Sequence, residues 1–124
     1  GGRGVIVFFY PKDNTPGCTT EAKAFTEMKA EFDAKGFDIV GVSRDTLASH
    51  EKFIEKQALA IPLASDEDGA ACEAFGVWKE KNMYGRKFMG VERSTFIINK
   101  EGKIDAIYRK VKVNGHVEHL LGVL

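Results

Sequence analysis

Cysteine is scarce in this chain: Cys18 and Cys72 are the only two among 124 residues. Two thiols cannot make the disulfide framework of a small secreted domain, so their roles reduce to catalysis or packing. An excess of one charge is lacking too. The 18 Lys plus Arg balance 18 Asp plus Glu, and no basic cluster offers a nucleic-acid footprint. No apolar run approaches the ~20 residues of a membrane-spanning helix. The N-terminus carries no charged region followed by an apolar stretch and a cleavage site. Repeats, low-complexity tracts and linkers are missing as well. These absences lead to the expectation of one cytoplasmic domain with neither nucleic acid nor membrane as partner, and 44% hydrophobic residues are enough for its core.

The residues present alternate between strand and helix patterns. Val5 to Tyr10 is an unbroken run of strand formers, long enough for a buried strand, and Pro11 ends it. Pro16-Gly17 breaks the following loop. From Thr19 onward Ala22, Phe25, Met28 and Phe32 recur at helical spacing, so a helix is expected over about 18 to 35, stopped by Gly36. Phe37 to Val42 reads as a second buried strand. Ser43 or Asp45 can cap a helix carrying Leu47, Phe53 and Ile54, and Ile61-Pro62-Leu63 reads as a short extended piece. Asp66 to Gly69 opens a short helix through Phe75, followed by a long loop from Gly76 to Gly90. Arg93–Ile98 and Lys103–Arg109 make an antiparallel hairpin around Asn99 to Gly102, before a last helix from about 115 to 124. The order is βαβ, α, ββα, that of an α/β sandwich with a central sheet.

Cys18 stands at the expected start of the first helix. There the unpaired N–H groups and the positive end of the helix dipole favour thiolate over thiol. A cysteine retained for packing needs no hydroxyl three residues earlier and no proline-bounded loop after a buried strand. The pattern Pro-x-x-x-Thr-x-x-Cys, filled by Pro11, Thr15 and Cys18, resembles the active-site signature of the peroxiredoxins. The wider string from Phe9 to Ala22 is similar to the bacterioferritin comigratory protein, or peroxiredoxin Q, subfamily. Resemblance continues through Phe75-Gly76-Val77-Trp78, Arg93 to Phe96 and Val111 to His116, and so covers nearly the whole chain. It implies a thioredoxin-like three-layer sandwich with a central mixed β-sheet. It also implies a thiol peroxidase for hydrogen peroxide or small organic hydroperoxides, serving antioxidant defence and needing no cofactor or metal.

The chemistry requires an ionised sulfur, a donor that positions the peroxide, and stabilisation of the departing oxygen. Cys18 is the nucleophile and becomes a sulfenic acid. The Thr15 hydroxyl can bridge thiolate and peroxide. Pro11 shapes the loop and limits water, while the N–H groups of Gly17 and Cys18 can bind the peroxide oxygens. The resemblance, more than its own context, assigns Arg93. Its strand is expected beside the first strand, bringing the guanidinium to the sulfur.

Two departures from the family pattern stand out. Its members usually carry a further segment, about a quarter of this chain's length, before the first strand; here that strand follows Gly1-Gly2-Arg3-Gly4 directly. One domain over residues 1–124 without that segment is expected, as a monomer or weak homodimer. Many members also have a resolving cysteine five residues after the first, where this chain has Lys23. An external thiol (thioredoxin, glutaredoxin or glutathione) is then the expected reductant. Cys72, near Ala71 and Phe75, reads as a packing residue and is the less favoured resolver.

His50, His116 and His119 lack ligand spacing and read as surface residues. Trp78 and Phe75 read as core or pocket wall, and Tyr84, Phe88 and Met89 as candidates for the peroxide entrance or for loop anchoring. Lys79-Glu80-Lys81 reads as a solvated face. A non-catalytic redox sensor of the same fold is the competing function. A disulfide oxidoreductase is disfavoured, because Thr15 holds the place of the first cysteine in Cys-x-x-Cys.

Overall fold

The computed structural model describes residues 3–124, with Met83 described by its backbone alone. Gly1 and Gly2, placed ahead of the first strand in the sequence reading, lie outside the described residues. In chain order the elements are β1 (Gly4–Phe9), α1 (Pro16–Glu27), α2 (Lys29–Ala34), β2 (Phe37–Ser43), α3 (Leu47–Gln57) and β3 (Leu63–Ser65). There follow α4 (Ala70–Ala74), β4 (Trp78–Met83), β5 (Arg86–Val91), β6 (Ser94–Ile98), β7 (Ile104–Tyr108) and α5 (His116–Val123). Five strands form one mixed sheet in the order β3-β2-β1-β6-β7. β1 and β2, and β2 and β3, run parallel, whereas β6 is antiparallel to both β1 and β7.

Alternation along β1 divides the core in two. Ile6, Phe8 and Tyr10 join Cys18, Ala22, Phe25, Phe32, Phe53 and Leu120 on one face of the sheet. Val7 and Phe9 face the other way, toward Cys72, Val77, Val91 and Phe96. The first face is covered by α1, α2, α3 and α5, the second by α4 and the base of the β4–β5 hairpin, giving the three layers expected. No helix among the described residues is long and apolar enough to cross a membrane.

Four local expectations are corrected. The first helix starts two residues earlier, because Pro16 occupies its first turn, where a missing N–H costs nothing. It also bends at Met28 into α2, with the hydrogen-bond ladder continuing through Met28 N–H to Ala24 O. α3 is capped by Thr46, whose hydroxyl accepts from Ser49 N–H at 3.1 Å, rather than by Ser43 or Asp45, which bond each other. The third strand is Leu63–Ser65 rather than a piece centred on Pro62, which has no N–H to give. The expected 76–90 loop is mostly a separate two-stranded hairpin. Trp78 pairs with Val91 and Met83 with Arg86 across the two-residue turn Tyr84-Gly85, both at positive φ. That is type I′ geometry, and its strands are too polar on both faces to read as sheet from hydrophobicity.

Candidate active site

β1 delivers the chain into the loop Pro11–Thr15, and α1 begins immediately after it. Thr15 holds the N-cap position in extended conformation (φ −84°, ψ 153°), and the first helical bond is Thr19 N–H to Thr15 O at 2.9 Å. Cys18 is therefore the third residue of the helix. Pro16 has no N–H, so Gly17 and Cys18 supply the unpaired donors of the first turn. The Cys18 side chain is 1% exposed. The Thr15 hydroxyl does not point at the sulfur as an existing bridge. It donates to Lys12 O at 2.8 Å, which leaves its oxygen lone pairs free to accept from an incoming O–H.

Sheet register brings in Arg93. Phe9 on β1 pairs with Ser94 on β6, so Arg93 lies beside the exit of β1 from the sheet. Its Nη2 donates to Cys18 Sγ at 3.3 Å and its Nη1 to Glu21 Oε1 at 2.7 Å. A Cβ on Gly17 would sit 3.1 Å from that Nη2, so the guanidinium occupies space a side chain would claim. Burial works against the arginine's charge, but Glu21 and Cys18 outweigh it and raise its pKa.

Glu21 was not singled out in the sequence. It is fully buried one turn beyond Cys18, and burial pushes its carboxyl up to about 7 even though Arg93 pulls the other way. Its Oε2 has no hydrogen-bond partner. The signal was present, because a carboxylate on the same helix face as Cys18, Ala22 and Phe25 calls for a buried cation. Lys81, read as part of a solvated face, also senses the site. Its pKa is lowered by burial and then by Arg93, and is pulled back up by Cys18 and Glu92.

A second buried network fixes the loop from behind. Asp13 accepts from Tyr10 Oη at 2.6 Å, from Ser49 Oγ at 2.7 Å and from the His50 ring at 2.7 Å. Its own N–H donates to Asp45 Oδ2 at 2.9 Å, and Asp45 also accepts from Ser43 Oγ at 2.6 Å. The other ring nitrogen of His50 meets Ala64 O at 3.1 Å. The expectation of surface histidines thus fails at His50. It fails again at His116, which is buried against the Thr95 hydroxyl at 2.9 Å, with its pKa pushed down to about 4 by burial, then His119 and Arg93. Only His119 is exposed. Both rings are satisfied by partners distant in the chain, Asp13 and Ala64 for His50 and Thr95 for His116.

Cys72 is not brought to Cys18. The two free thiols belong to the clusters on opposite faces of the sheet. Burial and the Asp66 carboxylate push the Cys72 thiol up to about 12, while Asp66 accepts from its N–H at 2.8 Å. A second feature adjoins the loop. A cavity of about 350 Å³ is lined by Pro11 and Lys12 on the loop side and by Trp78, Lys81, Phe88 and Met89 of the hairpin. Phe88 and Met89 line this cavity, whereas Tyr84, read with them for the peroxide entrance or for loop anchoring, projects into solvent at the turn. Phe75 packs instead into the core against Phe9 and Phe96, with ring centroids 5.1 and 4.9 Å apart.

The AhpC/TSA family model matches residues 1–107. The chain is 52% identical over 123 residues to peroxiredoxin Bcp of Xanthomonas campestris pv. campestris, covering 99% of this chain and 77% of that one. To peroxiredoxin Bcp of Bacillus subtilis it is 46% identical, with 99% and 78% covered. A solved structure from work on alkyl peroxide reduction by the Xanthomonas campestris bacterioferritin comigratory protein superposes with a TM-score of 0.94 at 50% identity. It covers 99% of this chain and 78% of that one.

Proposed function

The chain belongs to the AhpC/TSA family as a Bcp/peroxiredoxin Q thiol peroxidase, and from that premise we propose that Cys18 attacks the O–O bond of an alkyl hydroperoxide or hydrogen peroxide. The observation that carries this reading is the 3.3 Å approach of Arg93 to a cysteine sulfur in the first turn of a helix. Cys18 Sγ attacks the distal oxygen, the S–O bond forms as the O–O bond breaks to give Cys–S–OH, and the proximal oxygen leaves as an oxyanion that takes a proton from solvent to become alcohol or water. Thr15 Oγ1 accepts a hydrogen bond from the peroxide O–H and so orients it, and Arg93 with the Gly17 and Cys18 N–H groups stabilises the charge on the departing oxygen. Pro11 holds the loop that keeps the sulfur from bulk water. Glu21 orients Arg93.

Recycling uses an external thiol, because Lys23 stands where a neighbouring thiol could have been and Cys72 lies across the sheet. Thioredoxin, glutaredoxin and glutathione are the candidate reductants, and the chain works as a monomer or weak homodimer in a reducing compartment such as the cytoplasm. Stopped-flow oxidation with tert-butyl hydroperoxide, followed by sulfenic-acid trapping and intact mass, tests both half-reactions. Cys18→Ser is expected to abolish the reaction and Cys72→Ser to keep the first turnover. Comparable rates for Cys18→Ser and the unaltered chain would overturn the assignment. Rapid loss of two hydrogens with a Cys18–Cys72 linkage would overturn the external-thiol cycle.

A further inference from the structure

We propose that the groove between the Pro11–Lys12 loop and the β4–β5 hairpin binds the reductant, and that this reductant is a small anionic thiol presenting carboxylates to Lys12, Arg44 and Lys81. The inference rests on the peroxidase reading above. It begins from access: once oxidised, Cys18 must be met by another sulfur, yet its side chain is 1% exposed and the chain's other thiol is on the far face of the sheet. A protein thiol needs the helix start to open first. A small thiol can come through the adjoining cavity, whose volume of about 350 Å³ suits a ligand of tripeptide size.

Charge selects the ligand class. Among the described residues, three cations line the groove and no carboxylate does. Neutral alkyl peroxides have no use for that charge, and hydrogen peroxide has none for the apolar wall of Trp78, Phe88 and Met89. The second half-reaction uses both. It requires a thiolate, which cations stabilise, and a carboxylate-bearing thiol gains further from each lysine. The hairpin is shaped to hold Lys81 there. Lys81 and Phe88 pair across the strands, and the Lys81 stem lies where a Cβ on Gly90 would meet it at 3.3 Å. Its ammonium feels both Arg93 and Cys18, which places the groove and the sulfur in one field. Arg44 is stacked on the Trp78 ring at 4.6 Å and anchored to Glu67 O at 2.8 Å, so it enters the groove as a fixed charge, with its buried Nε unpartnered.

The chemistry balances in two steps. The thiolate sulfur attacks Cys18–S–OH, an S–S bond forms, and the hydroxyl leaves as water with one proton. A second thiol then attacks the mixed disulfide, releasing Cys18 as thiolate and the reductant as its own disulfide.

Steady-state turnover of cumene hydroperoxide with glutathione, against uncharged 2-mercaptoethanol, tests this. For the unaltered protein, raising salt from 20 to 200 mM is expected to increase KM for glutathione several-fold and to leave 2-mercaptoethanol unaffected. Lys12→Gln/Lys81→Gln is expected to raise KM for glutathione about threefold to tenfold relative to that for 2-mercaptoethanol, as the loss of two exposed ion pairs. Lys12→Arg/Lys81→Arg should restore it. Equal salt and charge dependence for the two thiols overturns the proposal. So does a double variant whose KM rises for a carboxylated hydroperoxide and not for glutathione, since the groove is then a peroxide subsite. Failure of the unaltered protein to form a trappable sulfenic acid overturns the peroxidase reading itself, and the trapping measurement separates that outcome from the others.

Discussion

Gly17→Ala should slow peroxide attack without weakening the fold, and the structure gives the size of the effect. Gly17 is the second residue of α1 and does not adopt a positive φ, so alanine fits its backbone and gains up to about 1 kcal/mol of helix propensity. The new methyl group has one neighbour problem. At 3.1 Å from Arg93 Nη2 it sits inside ordinary contact distance, and the guanidinium must retreat by about half an ångström. That retreat carries Nη2 away from Cys18 Sγ, already at 3.3 Å. A hydrogen bond to a charged group contributes ~1.5–3 kcal/mol, and losing about half of it slows attack roughly fourfold to thirteenfold. Stopped-flow oxidation and urea unfolding would be measured on the same preparations. The expected pattern is a slower reaction with an unchanged or higher unfolding midpoint, and Gly17→Ala added to Arg93→Met should cost nothing more. A normal rate refutes the reasoning, as does a rate loss that is additive with Arg93→Met.

Thr15→Val is expected to slow attack by roughly tens- to hundreds-fold and Thr15→Ser only mildly, since the hydroxyl oxygen rather than the methyl is used; rapid-mixing rates of the pair decide this. Glu21 gives a pH signature. Its carboxyl is lifted from 4.5 to about 7, so between those values the folded chain binds more protons than the unfolded one and stability falls as pH rises, a contribution complete above about 7. Urea unfolding across pH 5 to 8 should show Glu21→Gln losing a downward slope of up to about 1.4 kcal/mol per pH unit. Asp13→Asn leaves the buried His50 ring facing a poorer acceptor and should cost about 3 kcal/mol by denaturant unfolding, as expected when one side of a buried pair is removed.

Much of this was legible in the sequence because each signal was local. Six strand formers, a proline stop, a Pro-Gly break and helical spacing place Cys18 at a helix start without knowledge of the rest of the chain. Arg93 was found by likeness to a family, since nothing adjacent to it announces that β6 will run antiparallel beside β1. The polar hairpin escaped because hydrophobic alternation is a signal of burial, and most of its strand residues are solvated. Histidine was misjudged for a related reason. A ring buried by partners 37 and 14 residues away leaves no periodic trace, and the Asp13–His50–Ala64 chain exists only once the loop, α3 and β3 meet.

The contact between Arg93 and Cys18 spans 75 residues of chain yet joins the first turn of α1 to the start of β6, the strand that lies beside β1. During synthesis the cysteine is made early, whereas its cation belongs to a strand added after three-quarters of the described chain. Until β6 docks against β1, the sulfur has no guanidinium beside it. Closing the sheet is therefore also the step that completes the proposed site. A growing or half-folded chain carries the cysteine without its cation, and the pair arises only in molecules whose fold is complete.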